Sequence, residues 1–278
     1  MIDGSADAWP PSGLNRAFAV FEAPVEGNIP RFFALFSTED VVPKIGPVRS
    51  ARPYFVEWSR MFGAAYVHVG GSPDGLQKIR DLGVVDIDEF FQSNVFWRAK
   101  DRFAPHNAYS SSDLIRGYLT KKNLKTQPAE SPWVFDDEPL VSLLREEASV
   151  VHIPFGSNTT YKAVWTFDTE KHCYVRSQQT PFSPAFLTQD GAPIIASNLL
   201  VLEANIKTVD EVGRKKIDTV DSGRFALFQE GTRLDGTYHR KTIDAPFELL
   251  TDGDVVPFIP GVIWVSVLPD LTSLSVSP

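Results

Sequence analysis

From residue 150 onward the chain is broken into short apolar runs by turn dipeptides: Asp190-Gly191, Glu230-Gly231, Asp235-Gly236, Asp252-Gly253 and Pro260-Gly261. Glycine after an acidic residue supplies the positive φ that tight hairpins need. The runs between them, at 193–203, 214–220, 224–229, 237–243, 254–259 and 262–268, are too short and too β-branched or aromatic for helices. Upstream, YKAVWTFD and HCYVRS flank Thr169-Glu170-Lys171 as a further hairpin. Regular short strands with no helical periodicity constrain this half to a β-sandwich or barrel-like domain.

The first half reads differently. Residues 18–22 and 31–36 are aromatic strands joined across Glu26-Gly27-Asn28. Ala51, Phe55, Trp58 and Phe62 share one stripe of a helix expected over 50–62. A strand at 64–69 is stopped by Gly70-Gly71, after which Ser72 is placed to cap a helix beginning at Pro73. A strand at 84–88, a polar loop at 92–110, a helix from Ser111 or Ser112 to about Lys122, and a bridging helix over 136–148 follow. With 278 residues the chain has room for two cores. The expected class is α+β: a mixed α/β domain over 1–135 and a β-rich domain over 136–278.

Composition excludes some functions. The net charge is −8, which argues against a nucleic-acid binder, since phosphate backbones require a positive surface. No apolar run approaches the ~18 residues of a membrane-spanning helix. The single cysteine, Cys173, forbids an intrachain disulfide and reads as a small buried strand residue. His68, His106, His152, His172 and His239 lack metal-ligand spacing, so neither a metal nor another cofactor is expected. Residues 1–145 carry 16 Lys and Arg against 18 Asp and Glu, and this nearly balanced half gathers arginines at Arg31, Arg49, Arg52, Arg98 and Arg102.

Three segments carry candidate chemistry. Gly46-Pro47-Val48-Arg49-Ser50-Ala51-Arg52 sets two arginines beside a helix start, a suitable site for phosphate or carboxylate unless Glu22, Glu26 or Glu57 pairs with them. His68-Val69-Gly70-Gly71-Ser72-Pro73 offers backbone for close approach but lacks the lysine of a phosphate loop and the spacing of a nucleophile elbow. Trp97 to Tyr109 is a polar, aromatic loop in which His106 and Asn107 form a donor pair, with His106 a proton-transfer candidate.

These same segments resemble a known family. Pro11-Ser12-Gly13-Leu14, Glu22-Ala23-Pro24-Val25-Glu26-Gly27, the Gly46–Arg52 run, His68–Pro73 and Ala104-Pro105-His106-Asn107 are similar to motifs of the YerB-type family of bacterial lipoproteins. So are Tyr174-Val175-Arg176, Asn198–Val201, Ser222-Gly223-Arg224 and Pro260–Val265 in the second half. The resemblance implies an N-terminal domain and a β-rich C-terminal domain, both of unknown function. It also implies an extracytoplasmic protein held to the membrane by a lipid anchor that this chain lacks. It supplies no reaction.

The expectation drawn from the residues is an anionic envelope ligand, a glycan, peptide or phosphate-bearing group. It would be held by Arg31, Arg49, Arg52, His68, Gly70, Gly71, Arg98, Arg102, His106 and Asn107. One rival is an envelope-polymer hydrolase using Glu22 or Glu26 with His106. Another is a protein-interaction module built on the β-rich domain.

Overall fold

A computed structural model describes residues 1–126, 132–137, 146–178 and 186–278. In chain order the first part contains β1 (Ile2–Asp3), β2 (Ala19–Pro24), β3 (Pro30–Leu35), α1 (Pro53–Ser59), β4 (Tyr66–His68), α2 (Pro73–Leu82), β5 (Asp86–Asp88), β6 (Trp97–Arg98), β7 (Ala108–Tyr109) and α3 (Ser112–Lys121). The second contains β8 (Glu146–Glu147), β9 (Val150–Ile153), β10 (Ala163–Asp168), β11 (Cys173–Gln178), β12 (Ile195–Ala196), β13 (Asn198–Glu203), β14 (Ile206–Thr208) and β15 (Lys215–Ile217). It ends with β16 (Ser222–Gln229), β17 (Thr232–His239), β18 (Glu248–Thr251), β19 (Asp254–Val255), β20 (Ile263–Leu268) and β21 (Ser275–Ser277).

Both sequence halves contribute to one ten-stranded sheet, ordered β1-β3-β2-β20-β13-β16-β17-β18-β19, with β8 also on β17. Its centre is parallel: β2 and β13 each pair with β20. The mixed α/β first half and strand-rich second half are as expected, but the helices mark a difference of content and not of hydrogen bonding. A second sheet, β12-β11-β10-β9-β21, lies against one face of the large sheet.

Alternation along the central strands explains the layers. Phe21, Phe33, Leu200, Leu202, Phe225, Leu227 and Val265 face α1, while Val20, Phe32, Leu199, Val201, Phe228 and Trp264 face the five-stranded sheet. Strands covered on both sides must be apolar nearly throughout, which is why Asn198–Glu203 and Ile263–Leu268 read as continuous hydrophobic runs. Each fully buried Leu, Val or Phe there contributes about 1.5–3 kcal/mol of transfer free energy.

Local signals place most elements. The Ser72 and Ser111 hydroxyls accept from Gly75 N and Leu114 N and cap α2 and α3. Glu230 and Gly231, at φ 49 and 70, close the β16–β17 hairpin in two residues, as Asp252 and Gly253 do for β18–β19. Two expectations are corrected. Asp235-Gly236 is not a turn but lies inside β17, where a Cβ on Gly236 would stand 2.3 Å from the Leu250 carbonyl oxygen. The bridging helix over 136–148 falls partly outside the described residues, and its end, Glu146–Glu147, is strand paired with Thr232 and Arg233.

Candidate functional site

The arginines of the first half converge where three backbone segments meet. β1 lies beside β3 with Asp3 directly opposite Arg31. The stretch 49–52 is threaded between them and β4: Arg49 N donates to Met1 O at 3.1 Å, Ala51 N to Gly70 O at 2.9 Å, and Val69 N to Arg49 O at 3.1 Å. Arg31, Arg49 and Arg52 thereby surround the Ser50-Ala51 backbone.

Each guanidinium has a different arrangement. Arg52 grips Glu26 through both nitrogens, Nε to Oε1 at 2.9 Å and Nη2 to Oε2 at 2.6 Å, and gives Nη1 to Ala51 O, so for Arg52 the internal carboxylate pairing that the sequence left open as the alternative to an anion site is the one found. Arg49 Nε lies 3.1 Å from Asp3 Oδ2 as an ion pair without an aligned hydrogen bond, and its Nη1 donates to Pro105 O. Arg31 is 5% exposed and donates Nη1 to Ser50 O at 3.0 Å; its Nε has no acceptor among the described residues. Burial and the neighbouring Arg52 charge bring the Arg31 guanidinium down to about 10. Three cations face two carboxylates, Asp3 and Glu26, leaving one positive charge in excess.

The Tyr66 hydroxyl is a second unsatisfied group. Tyr66 is buried on the helix-facing side of the large sheet, stacked on Phe33, two residues along β3 from Arg31. The Arg52 backbone N–H approaches its oxygen without reaching hydrogen-bond geometry, and the hydroxyl has no partner among the described residues. A buried polar group left so costs about 1–3 kcal/mol.

Asp3 links this cluster to His106. Its Oδ2 is 2.7 Å from His106 Nδ1, its Oδ1 accepts from Ser5 N, and Ser5 Oγ lies 3.3 Å from the same ring nitrogen. Burial alone would raise the Asp3 carboxyl, but Arg49, the Ser5 N–H, Arg31 and His106 together hold it below the usual range. His106 and Arg102 then line a hollow of about 670 Å³ with Asp7, Trp9 and Gln189. Arg102 donates to Pro10 O at 2.8 Å and Asp7 O at 3.4 Å.

The other candidate residues are placed elsewhere or occupied by protein. Arg98 bridges Glu89 and the Asn107 side-chain oxygen, pinning the loop to the end of β5. His68 is fully buried, with Nδ1 2.7 Å from Gly70 O and Nε2 2.7 Å from Asp86 Oδ1. Gly70 and Gly71 bring protein, not open space, close to the backbone: added Cβ atoms would meet the Phe90 ring at 2.5 Å and Leu76 and Ala51 at 3.0–3.1 Å. α1 has only seven residues and begins after Arg52, so its N-terminus adds no built anion site. Glu22 has no exposure and is held by Arg176 Nη1 and Nη2, both at 2.7 Å, and by Trp264 Nε1 at 2.8 Å. Asp3 and Tyr66 were invisible as site residues in the sequence. Only the unusual placement of a carboxylate in an otherwise apolar Ile2–Asp3 strand could have pointed to the first.

The fold and these motifs define a family of two-part proteins whose N-terminal and β-rich C-terminal portions occur together. Residues 1–125 match the N-terminal domain, and residues 151–265 the C-terminal domain, of the family described as "Protein of unknown function (DUF3048)"; the chain belongs to this family. Among its relatives, "Putative lipoprotein YerB" of Bacillus subtilis (strain 168) is 33% identical over 288 residues, covering all of this chain and 82% of that protein. The crystal structure of YerB protein from Bacillus subtilis matches with a TM-score of 0.87 at 30% identity, covering 100% of this chain and 92% of that one. No described helix is long and apolar enough to cross a membrane.

Proposed function

We propose that this chain is the folded part of a membrane-tethered, extracytoplasmic protein that binds an anionic envelope component at the Arg31–Arg49–Arg52 cluster. The tether is taken from the relative's description as a lipoprotein. One observation carries the binding reading: a buried guanidinium, Arg31, keeps an unused Nε donor beside two further arginines whose carboxylate partners are already engaged. A carboxylate or phosphate oxygen accepting from Arg31 Nε and the Tyr66 hydroxyl would neutralise the excess charge and satisfy both groups. His106 and Arg102, which line the neighbouring hollow, would act on a larger ligand extending along that loop.

No observation favours the hydrolase reading. Glu22 is sealed against Arg176, Glu26 is bound to Arg52 and His106 to Asp3, so the three groups have separate partners. The test is a thermal-shift series against phosphate, sulfate and muropeptides, with wild type beside Arg49→Ala/Arg52→Ala and Tyr66→Phe. A ligand at a hundredfold excess over Kd adds about 2.7 kcal/mol to the native state. A rise in wild type that vanishes in the double variant and shrinks in Tyr66→Phe is expected. A folded wild type whose Tm no anion moves would sink the reading.

A further inference from the structure

A larger hollow, about 850 Å³, lies between β3, β4, α3 and residues 132–135, with Tyr66 and Met1 on its wall beside the arginine cluster. Its size falls in the range that holds small-molecule ligands, roughly 300–1,000 Å³. Its lining is of two kinds. Most of it is aromatic and aliphatic, including Phe33, Phe62, Tyr66, Trp133 and Ile263, with Phe62 and Trp133 in edge contact at 5.2 Å. The polar groups Ser37, Thr38, Ser112 and Arg116 come from the loop after β3 and from α3, which Arg116 joins through the Thr38 carbonyl.

The donors of these polar groups are only partly used. The Ser112 hydroxyl oxygen accepts from Val42 N at 2.9 Å and the Ser37 oxygen accepts from Glu39 N at 3.2 Å. Neither hydroxyl proton meets an acceptor among the described residues. Arg116 is anchored by the Thr38 and Asp40 carbonyls at 2.9 and 2.6 Å and by Asp113, and its guanidinium still carries unassigned N–H groups. The hollow therefore combines a largely apolar wall with one group of hydroxyl and guanidinium donors. That pattern complements one anionic head on one hydrocarbon chain.

We infer that this hollow binds a single-chain amphiphile with a carboxylate head, a long-chain fatty acid, with its tail toward Trp133 and its head at Ser37, Ser112 and Arg116. The head-binding residues are distinct from the arginine cluster, while Tyr66 lines this hollow and borders that cluster. Arg116 acts here as a cation for the head, while the tail supplies most of the affinity through burial of apolar surface.

Isothermal titration of the whole chain with saturated fatty acids from octanoate to dodecanoate, kept below micelle formation, tests this. One-to-one binding is expected, tightening up to about fourfold per added methylene, the equivalent of ~0.8 kcal/mol. Ala64→Phe and Ile115→Trp, which fill the hollow, should abolish binding while circular dichroism shows the fold intact. Arg116→Gln should weaken dodecanoate about tenfold and leave dodecanol unchanged; a merely structural loss would weaken both alike. Absence of binding at every chain length, or binding unchanged in both filled variants, overturns the inference. So does binding to phospholipid vesicles with none to monomeric acid, which would make the apolar face a membrane contact.

Discussion

At the scale of single residues, one fully buried ion pair joins the layers of the molecule. Glu22 on β2 and Arg176 on β11 form a bidentate pair with no solvent exposure on either side chain. The Arg176 guanidinium lies 4.9–5.5 Å from the ring centroids of Trp264, Phe186, Trp165 and Phe32. Such pairs offset their own desolvation only while both charges remain. Glu22→Gln is therefore expected to cost about 3–5 kcal/mol in urea unfolding, because it strands a buried guanidinium. A loss under 1 kcal/mol would mean that water or another acceptor replaces the carboxylate. Sequence reasoning singled out Glu22 but gave it to catalysis or to a nearby arginine, since its partner is 154 positions away. Asp3 and Glu26 belong to the same scale. In each, burial works upward but is outweighed, by Arg49 and its neighbours for Asp3 and by Arg52 for Glu26, so both carboxyls are depressed. Their stabilisation is present above the ordinary values of 3.8 and 4.5 and is lost as pH falls below them. Urea midpoints measured from pH 7 down to pH 3 should fall, and fall less steeply in Asp3→Asn.

At the scale of elements, the sequence was most legible where one local cause decides the geometry. Ser72 and Ser111 cap their helices, and the two-residue hairpins at 230–231 and 252–253 close where acidic-glycine pairs stand. It was least legible where a distant strand decides. Gly236 looks like a turn residue, yet its role is to admit the Leu250 carbonyl and Phe225 ring across the sheet. The arginine cluster was half legible for the same reason. Arg49 and Arg52 are neighbours in sequence, but Arg31 and Asp3 reach them only through strand pairing. Gly236→Ala should destabilise by about 1–3 kcal/mol through overpacking. Ser72→Ala should cost about 1 kcal/mol through a lost cap. Chemical denaturation of the two variants checks both, and equal, negligible losses would refute the close-approach account of Gly236.

At the scale of the whole molecule, β20 stands between β2 and β13, so a strand near the start of the chain is hydrogen-bonded to one near its end. Neither half can bury its apolar faces alone. A single calorimetric transition is expected, with residues 1–125 unfolded when expressed by themselves; two resolved transitions would show the halves to be independent. The sequence revealed that the second half is all strand and the first mixed, because composition and turn spacing are local properties. The sharing of one sheet was hidden, because no local pattern records which distant strand completes a hydrogen-bond ladder.

The parallel pairing of Ala19 with Ile263 has a consequence in time. During synthesis at ~5–20 residues per second, β2 waits roughly 10–50 s for its partner to leave the ribosome. Through that interval its apolar faces and one ladder of amides have no native covering, so a holding chaperone would meet the chain before its fold does.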